Sequence, residues 1–321
     1  MADGITFHDF QPEGESLYDA VVHGFSRRRK SIPPKFFYDQ RGSALFDAIC
    51  LQPEYYLPDV ECAMLSELAG EIATLTGQRR VVIEPGAGSA AKIRLLLDAL
   101  APSAYVPMDI SGEYLKLAAR DLVSAYPWLP VHAVCVDFTH ALPLPECLPD
   151  APRLAFFPGS SLGNFEPSEA RRFLSDVCAL LGEGGMLLIG LDTKKSREIL
   201  DAAYNDAAGV TAAFNLNLLH RMRRELDTDV DPDAFSHRAY YNPEVGRIEM
   251  HLVSRQTQRV RVNGQSFQFR AGETLHTESS YKYAPGEFLE LAGQAGFRSR
   301  CHWLGDQGLF AIYLLDVERV R

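Results

Sequence analysis

Apolar and polar positions along the chain follow two rhythms. Met64, Leu65, Leu68, Ile72 and Leu75 recur at the spacing of one helix face. From Val81 onward, short apolar runs alternate with helical segments. Val81-Val82-Ile83, Tyr105 to Ile110, Val131 to Phe138, Leu154 to Phe157 and Met186 to Leu191 read as strands. Ala90 to Leu100, Glu113 to Tyr126 and Ser168 to Leu181 read as the intervening helices, with Pro167 at a favourable first helical position and a turn at Gly182 to Gly185. Strands joined through helices run parallel, so this part predicts a doubly wound α/β sheet.

The alternation lapses twice. Residues 1–60 carry no strong strand pattern; Pro33-Pro34 and Pro53 break them, and Phe36-Phe37-Tyr38 and Tyr55-Tyr56 crowd aromatics onto the connections. Residues 196–285 hold a long helical stretch, Glu198 to Glu225, then antiparallel strands at Arg247 to Ser254, Gln258 to Val262 and Ser266 to Phe269. Asn263-Gly264 between the last two is a tight hairpin turn. A helix at Pro285 to Ala295, capped by Gly296, and strands near Ser299 to Leu304 and Leu309 to Asp316 resume the first pattern. The expected layout is an α/β domain of residues 61–195 plus 286–321, and an inserted α+β domain of residues 1–60 plus 196–285.

Composition narrows the class. The 321 residues are 46% hydrophobic and 23% charged, as in water-soluble globular proteins, and suffice for one large core or two domains. A formal net charge of −10 argues against a nucleic-acid partner, and the basic run Arg27 to Lys30 reads as a solvated helix end. The six cysteines form no C-x-x-C pair and the nine histidines no H-E-x-x-H motif, so free thiols and no metal site are expected. Met1 to Glu15 lacks an apolar signal core, and no apolar run reaches the roughly 18 residues of a membrane helix. A cytoplasmic location, with no membrane or obligate protein partner, is the expectation.

The densest chemistry lies at Glu84-Pro85-Gly86-Ala87-Gly88, after the first strand. Gly86 and Gly88 let the backbone approach a ligand, and the following helix offers free N–H groups. Asp109, ending the second strand, can accept bonds from both ribose hydroxyls of an adenosyl cofactor. Asp137 and Phe138, ending the third, can bind an adenine amino group and pack on its face. Lys92 is either a contact to a cofactor carboxylate or an exposed helix lysine. Two cofactors fit. Gly86, Gly88 and Ala91 match the dinucleotide fingerprint of a nicotinamide-dependent oxidoreductase. Glu84 ahead of the glycines can instead meet the amino end of S-adenosylmethionine, and two strands after the last helix suit a methyltransferase sheet.

Six segments, in one order, resemble the histidine Nα-methyltransferases of ergothioneine biosynthesis. They are Pro34-Lys35-Phe36-Phe37-Tyr38-Asp39, Pro53-Glu54-Tyr55-Tyr56, Gly159 to Phe165, Tyr204 to Thr211, Arg247-Ile248-Glu249-Met250 and Thr277 to Lys282. The resemblance runs from about residue 30 to the C-terminus. It implies a Rossmann-like class I methyltransferase domain that uses S-adenosylmethionine, with a substrate domain built from the N-terminal segment and the insertion. It implies cofactor contacts at Gly86, Lys92, Asp109, Asp137 and Phe138. It implies that Tyr56, Asn164 and Tyr204 hold the amino and carboxylate groups of histidine, that Tyr38 lies near the amine, and that Glu278, Ser280 and Met250 surround the imidazole. Pro85, the stretch Ser89-Ala90-Ala91 and Ser279 depart from the family's commonest pattern, which bears on cofactor affinity more than on the reaction.

The residues agree with that chemistry. Methyl transfer is an in-line attack by a neutral amine, so the amine must lose its proton and be aligned. Tyrosines and an asparagine orient it without adding a full charge; Tyr38 and Asn164 are the catalytic candidates. Glu278 and Ser280, two positions apart on a strand, share a face, and a carboxylate there can accept an imidazole N–H. Each residue also has an ordinary structural reading: Tyr55 and Tyr56 as packed aromatics, Asn164 as a turn former, Met250 as core, Glu278 as a partner of Lys282. A related amino-acid N-methyltransferase, acting for example on tryptophan, is the competing activity; a non-catalytic binding protein is a further alternative.

Overall fold

Eight strands make the main sheet, in the order Ile5–Asp9, Val131–Cys135, Ala104–Asp109, Val81–Pro85, Arg153–Phe157, Met186–Asp192, Phe310–Val317 and Phe297–Leu304. The computed structural model describes residues 4–10, 15–140 and 142–318. It divides into two units, and the sheet belongs to the one formed by the described residues of Met1–Gly14, Leu57–Lys194 and Tyr283–Arg321. The first six strands pair in parallel, and Phe310–Val317 runs antiparallel to both its neighbours. Val81, Val82 and Ile83 are wholly buried, as befits a central strand covered on both faces.

The chain steps outward from Val81–Pro85 through Ala104–Asp109 to Val131–Cys135, then crosses back to pair Arg153–Phe157 on the other side of Val81–Pro85. Such a reversal opens a crevice beyond the carboxyl ends of the strands, where α/β sheets bind ligands. Glu84 to Gly88 lies at that place.

The sheet departs from the sequence pattern at three points. Ile5–Asp9 is a strand and pairs in parallel with Val131–Cys135 at the sheet edge. Its alternation is too short and polar to stand out, and pairing rather than local pattern defines it. The helix expected from Ala90 begins only at Arg94, because Gly88 and Ala90 take positive φ values of 53° each. The third strand stops at Cys135, leaving Asp137 and Phe138 on the loop beyond it.

The second unit comprises Glu15–Tyr56 and Lys195–Lys282. Its four-stranded sheet runs Lys30–Ser31, Thr274–Tyr281, Arg247–Ser254, Phe235–Asn242, and a separate hairpin pairs Gln258–Val262 with Gln265–Phe269. Asn263 and Gly264 both have positive φ, as the hairpin turn requires. Phe235–Asn242 was not legible, since His237, Arg238 and Asn242 blur its alternation. The long helical stretch is two helices, Arg197–Ala203 and Val210–Glu225. Gly209 at φ 73° breaks it, and the Asp206 carboxylate accepts the N–H groups of Val210 and Thr211 at 2.7 and 2.8 Å, capping the second helix. Glu54 accepts the Ala207 N–H at 3.0 Å. Parts of two quoted motifs thus serve this turn.

Candidate active site

In the first unit, Glu84, Gly86, Gly88, Asp109, Asp137 and Phe138 gather at the carboxyl ends of three adjacent strands. The Gly88 N–H donates to one Asp109 oxygen at 3.0 Å and the Ser111 N–H to the other at 2.9 Å. The Ile110 N–H also bonds this carboxylate, so three backbone donors fix its orientation. Burial holds the Asp109 carboxyl above its usual range, against the pull of these backbone bonds. Asp137 accepts the Thr139 N–H at 3.1 Å, which fixes its carboxylate at the loop start.

The loop glycines show a cradle. A Cβ on Gly88 would meet no atom within 4 Å, and one on Gly86 would lie 3.3 Å from the Phe138 ring. Gly86 and Gly88 have φ of 69° and 53°, so the left-handed turn itself favours glycine. Open space lined by backbone, beside an aromatic ring and a carboxylate, fits an adenosyl cofactor.

Glu84 sits beneath this loop. It is buried, accepts the Tyr105 hydroxyl at 2.5 Å, and is pushed up to about 8 by burial, with the Tyr105 bond and Lys92 opposing. Lys92 pairs with the buried carboxylate of Glu61 at 2.5 Å. The same carboxylate accepts the Gly159 N–H at 3.0 and 2.9 Å. Glu61 and Tyr105 carried no motif that would have drawn attention to them. Gly159 and Ser160 both have positive φ, and the turn Ser161–Asn164 that follows ends on half-buried Asn164. Strained backbone of this kind concentrates where a loop positions functional groups.

The second unit gathers the other candidates. Met250 pairs with Glu278 across the strands, and Ile248 with Ser280, so Glu278, Ser280 and Met250 share one face of the four-stranded sheet. A β-bulge at Thr277 sets this register. Glu278 is pushed up to about 7 by burial, with the charge of Lys282 opposing. The Tyr204 hydroxyl donates to Ser280 Oγ at 2.9 Å, and the Lys282 ammonium donates to Ser280 Oγ at 3.0 Å and the Tyr204 hydroxyl at 3.1 Å. Lys282 is almost wholly buried, with its Nζ 5.0 Å from the Tyr204 ring centre. In the sequence it closes the segment Thr277 to Lys282 and stands out only as a partner for Glu278.

Tyr55 packs edge-on against Tyr204 at 6.0 Å, and burial first, then the charges of Tyr204, Cys50, Glu278 and Tyr38, hold its hydroxyl well above the usual tyrosine range. Tyr38 ends the turn Pro34–Phe37 and packs edge-on against Phe46 and Phe214, each at 5.9 Å. Tyr56 accepts a bond from Lys195 at 2.5 Å, and that ammonium lies 4.5 Å from the ring centre. Asn164 belongs to the first unit; Tyr38, Tyr56, Tyr204, Met250, Glu278 and Ser280 belong to the second.

Residues 17–317 match the family described as histidine-specific methyltransferase, SAM-dependent. The histidine N-alpha-methyltransferase of Mycolicibacterium smegmatis is 39% identical over 307 residues, 94% of each chain. The protein of the same name from Mycobacterium tuberculosis is 37% identical over 92% of each chain. Ergothioneine biosynthesis protein 1 of Neurospora crassa is 28% identical over 91% of this chain and 34% of its own length.

Proposed function

The chain belongs to the histidine-specific, S-adenosylmethionine-dependent methyltransferases, and from that premise we propose that it methylates the α-amino group of L-histidine through to Nα,Nα,Nα-trimethylhistidine (hercynine), in ergothioneine biosynthesis. The observation that carries the substrate assignment is Glu278. A carboxylate buried on a sheet face with Met250 and Ser280 suits a ring that is apolar on its faces and bears N–H at its edge. An indole or phenyl ring would use that carboxylate less well or not at all.

The cofactor is S-adenosylmethionine, which supplies an electrophilic methyl whose bond to sulfur breaks, leaving the electron pair on sulfur, as the amine nitrogen takes the carbon. In our assignment the Glu84–Gly88 loop, Lys92, Asp109, Asp137 and Phe138 hold it. Asp109 takes the ribose hydroxyls, and the Phe138 ring and Asp137 take the adenine. Lys92, anchored by Glu61, meets the carboxylate, and Glu84 answers the amino group.

The unit of Glu15–Tyr56 and Lys195–Lys282 is assigned to substrate binding. Glu278 and Ser280 take the imidazole, with Met250 at its side. Tyr56 and Tyr204 hold the amino and carboxylate groups, and Tyr38 lines the amine. The buried Lys282 ammonium orients the Tyr204 and Ser280 hydroxyls, so their remaining hydrogen-bonding capacity turns to the substrate. The α-ammonium must release one proton before each transfer. Neutral hydroxyls orient the freed amine without a charge that would recapture the proton. We place the enzyme in the cytoplasm, where its six free thiols persist reduced; among the described residues no helix is long and apolar enough to cross a membrane.

Mass spectrometry of an amino-acid mixture incubated with the protein and S-adenosylmethionine tests this reading. Histidine is expected to gain up to three methyl groups, all on the α-nitrogen. Methyl groups on the ring, or on tryptophan in preference to histidine, overturn it.

A further inference from the structure

His8, His132 and Cys147 are distant in sequence and meet in the first unit. Strand Ile5–Asp9 pairs Thr6 with His132, so His8, two positions on, lies on the same face as His132. A ring nitrogen of each histidine and the Cys147 sulfur all lie within 4.8 Å of one another. Cys147 Sγ is 3.6 Å from His132 Nδ1. Zinc–nitrogen and zinc–sulfur bonds of ~2.0 and ~2.3 Å at a tetrahedral angle put nitrogen and sulfur roughly 3.5 Å apart. The two imidazole ring centres are 5.7 Å apart, close to the roughly 5 Å expected of two imidazoles on one tetrahedral ion. His8 Nε2 is buried and has no hydrogen-bond partner. Such an orphan nitrogen is costly unless something completes it.

We propose that His8, His132 and Cys147 form a binding site for one divalent zinc-class cation, which ties the edge strand Ile5–Asp9 to the segment that follows Phe138. Two imidazoles and a thiolate are the donor set that borderline and soft divalent metals prefer, and the fourth position is left to water. On binding, the Cys147 thiol releases its proton to solvent and its sulfur donates an electron pair to the ion; nothing is oxidised or reduced. A second set, Glu249, His251 and His276, lies in the other unit. There the Glu249 carboxylate already accepts bonds from Arg247, Tyr240, Asn242 and His251, and the guanidinium repels a cation.

The test is titration of the chelator-stripped protein with Zn²⁺ by calorimetry and with Co²⁺ by absorption, which reports thiolate coordination directly. One equivalent is expected to bind, with a sulfur-to-cobalt charge-transfer band and a rise in melting temperature. Cys147→Ser is expected to abolish the band, and Cys147→Ser and His132→Ala each to weaken Zn²⁺ at least tenfold. His276→Ala should leave the affinity unchanged. Cys147 is exposed, so its variant keeps the test open if His132→Ala fails to fold. No saturable binding, an affinity indifferent to Cys147→Ser, or loss only in His276→Ala overturns the site.

Discussion

At the scale of single residues, two buried carboxylates make different demands. Glu278, in the proposed reading, completes its bonding with the substrate, so its loss is expected to fall on selectivity. Replacing it by glutamine keeps the shape and removes the charge. Because hydrogen bonds to charged groups contribute roughly 1.5–3 kcal/mol, Glu278→Gln should lower kcat/KM for histidine by about one to two orders of magnitude. Activity on phenylalanine or tryptophan should change far less, and competition kinetics would read the ratio; an unaltered ratio removes Glu278 from imidazole recognition. Glu61 completes its bonding within the protein. A Cβ on Gly190 would lie 2.0 Å from Glu61 Oε1, so even one methyl there displaces the carboxylate that holds Lys92 and the Gly159 N–H. Gly190→Ala is expected to cost about 1–3 kcal/mol, the range for overpacking. It should also weaken S-adenosylmethionine several-fold by calorimetry. Unchanged stability and affinity together would mean that Glu61 retreats freely.

At the scale of elements, the bulge in Thr274–Tyr281 decides which side chain shares the sheet face with Met250. His276 pairs with His251, but the next pair is Glu278 with Met250, so Thr277 is the extra residue. The Thr277 hydroxyl donates its one proton to the Asn215 side-chain oxygen at 2.8 Å, with the Met250 carbonyl an alternative acceptor at 3.1 Å. Asn215, wholly buried on helix Val210–Glu225, donates in turn to the His251 carbonyl at 3.1 Å. The helix thereby pins the bulge. Thr277→Val keeps the shape but strands the buried Asn215 oxygen, which should destabilise by about 1–3 kcal/mol. It should also raise KM for histidine, because Glu278 loses its register, while Thr277→Ser should restore both. Denaturant unfolding beside steady-state kinetics checks this. A KM that stays constant through a stability loss would separate the bulge from recognition.

At the scale of the whole molecule, buried acids set the pH dependence of folding. Glu84 is pushed up to about 8 when folded, against an unfolded value of 4.5. Between those values the unfolded chain has released this proton and the folded chain retains it, so stability falls as pH rises through the window and levels off above about 8. Glu278, pushed up to about 7, acts in the same direction over a narrower window. Glu84→Gln removes the larger contribution and can still accept the Tyr105 hydroxyl. The unfolding free energy of Glu84→Gln relative to the parent, read by denaturant unfolding, should therefore climb between pH 5 and pH 8.5, by an amount on the order of a few kcal/mol. A difference that stays flat with pH would show that Glu84 ionises normally. S-adenosylmethionine, present in excess, should shrink the difference by bringing a positive charge to the carboxylate.

The alternation of apolar runs with helical segments from Val81 to Leu191 determined the parallel sheet, because each such strand is buried on both faces and must read as continuously apolar. The glycines of Glu84 to Gly88, Asp109 at the end of the next strand and Asp137 just beyond the one after it marked the proposed cofactor end, since a left-handed turn and a strand terminus are local facts that local sequence encodes. The two histidine-bearing strands are the contrast. Ile5–Asp9 is a strand because Val131–Cys135 is its neighbour; that pairing brings His8 to His132, and the path of the later loop brings Cys147 to both. Glu61 and Lys282 likewise look like ordinary charged residues in the chain. Only the fold buries them, and burial turns an ordinary charge into one that must be matched by specific partners. Glu278 and Ser280, the residues proposed to face the imidazole, were legible as a pair two positions apart. That Glu278 stands opposite Met250 was not, because one extra residue at Thr277, held by a helix residue 62 positions away in sequence, shifts which side chain stands there.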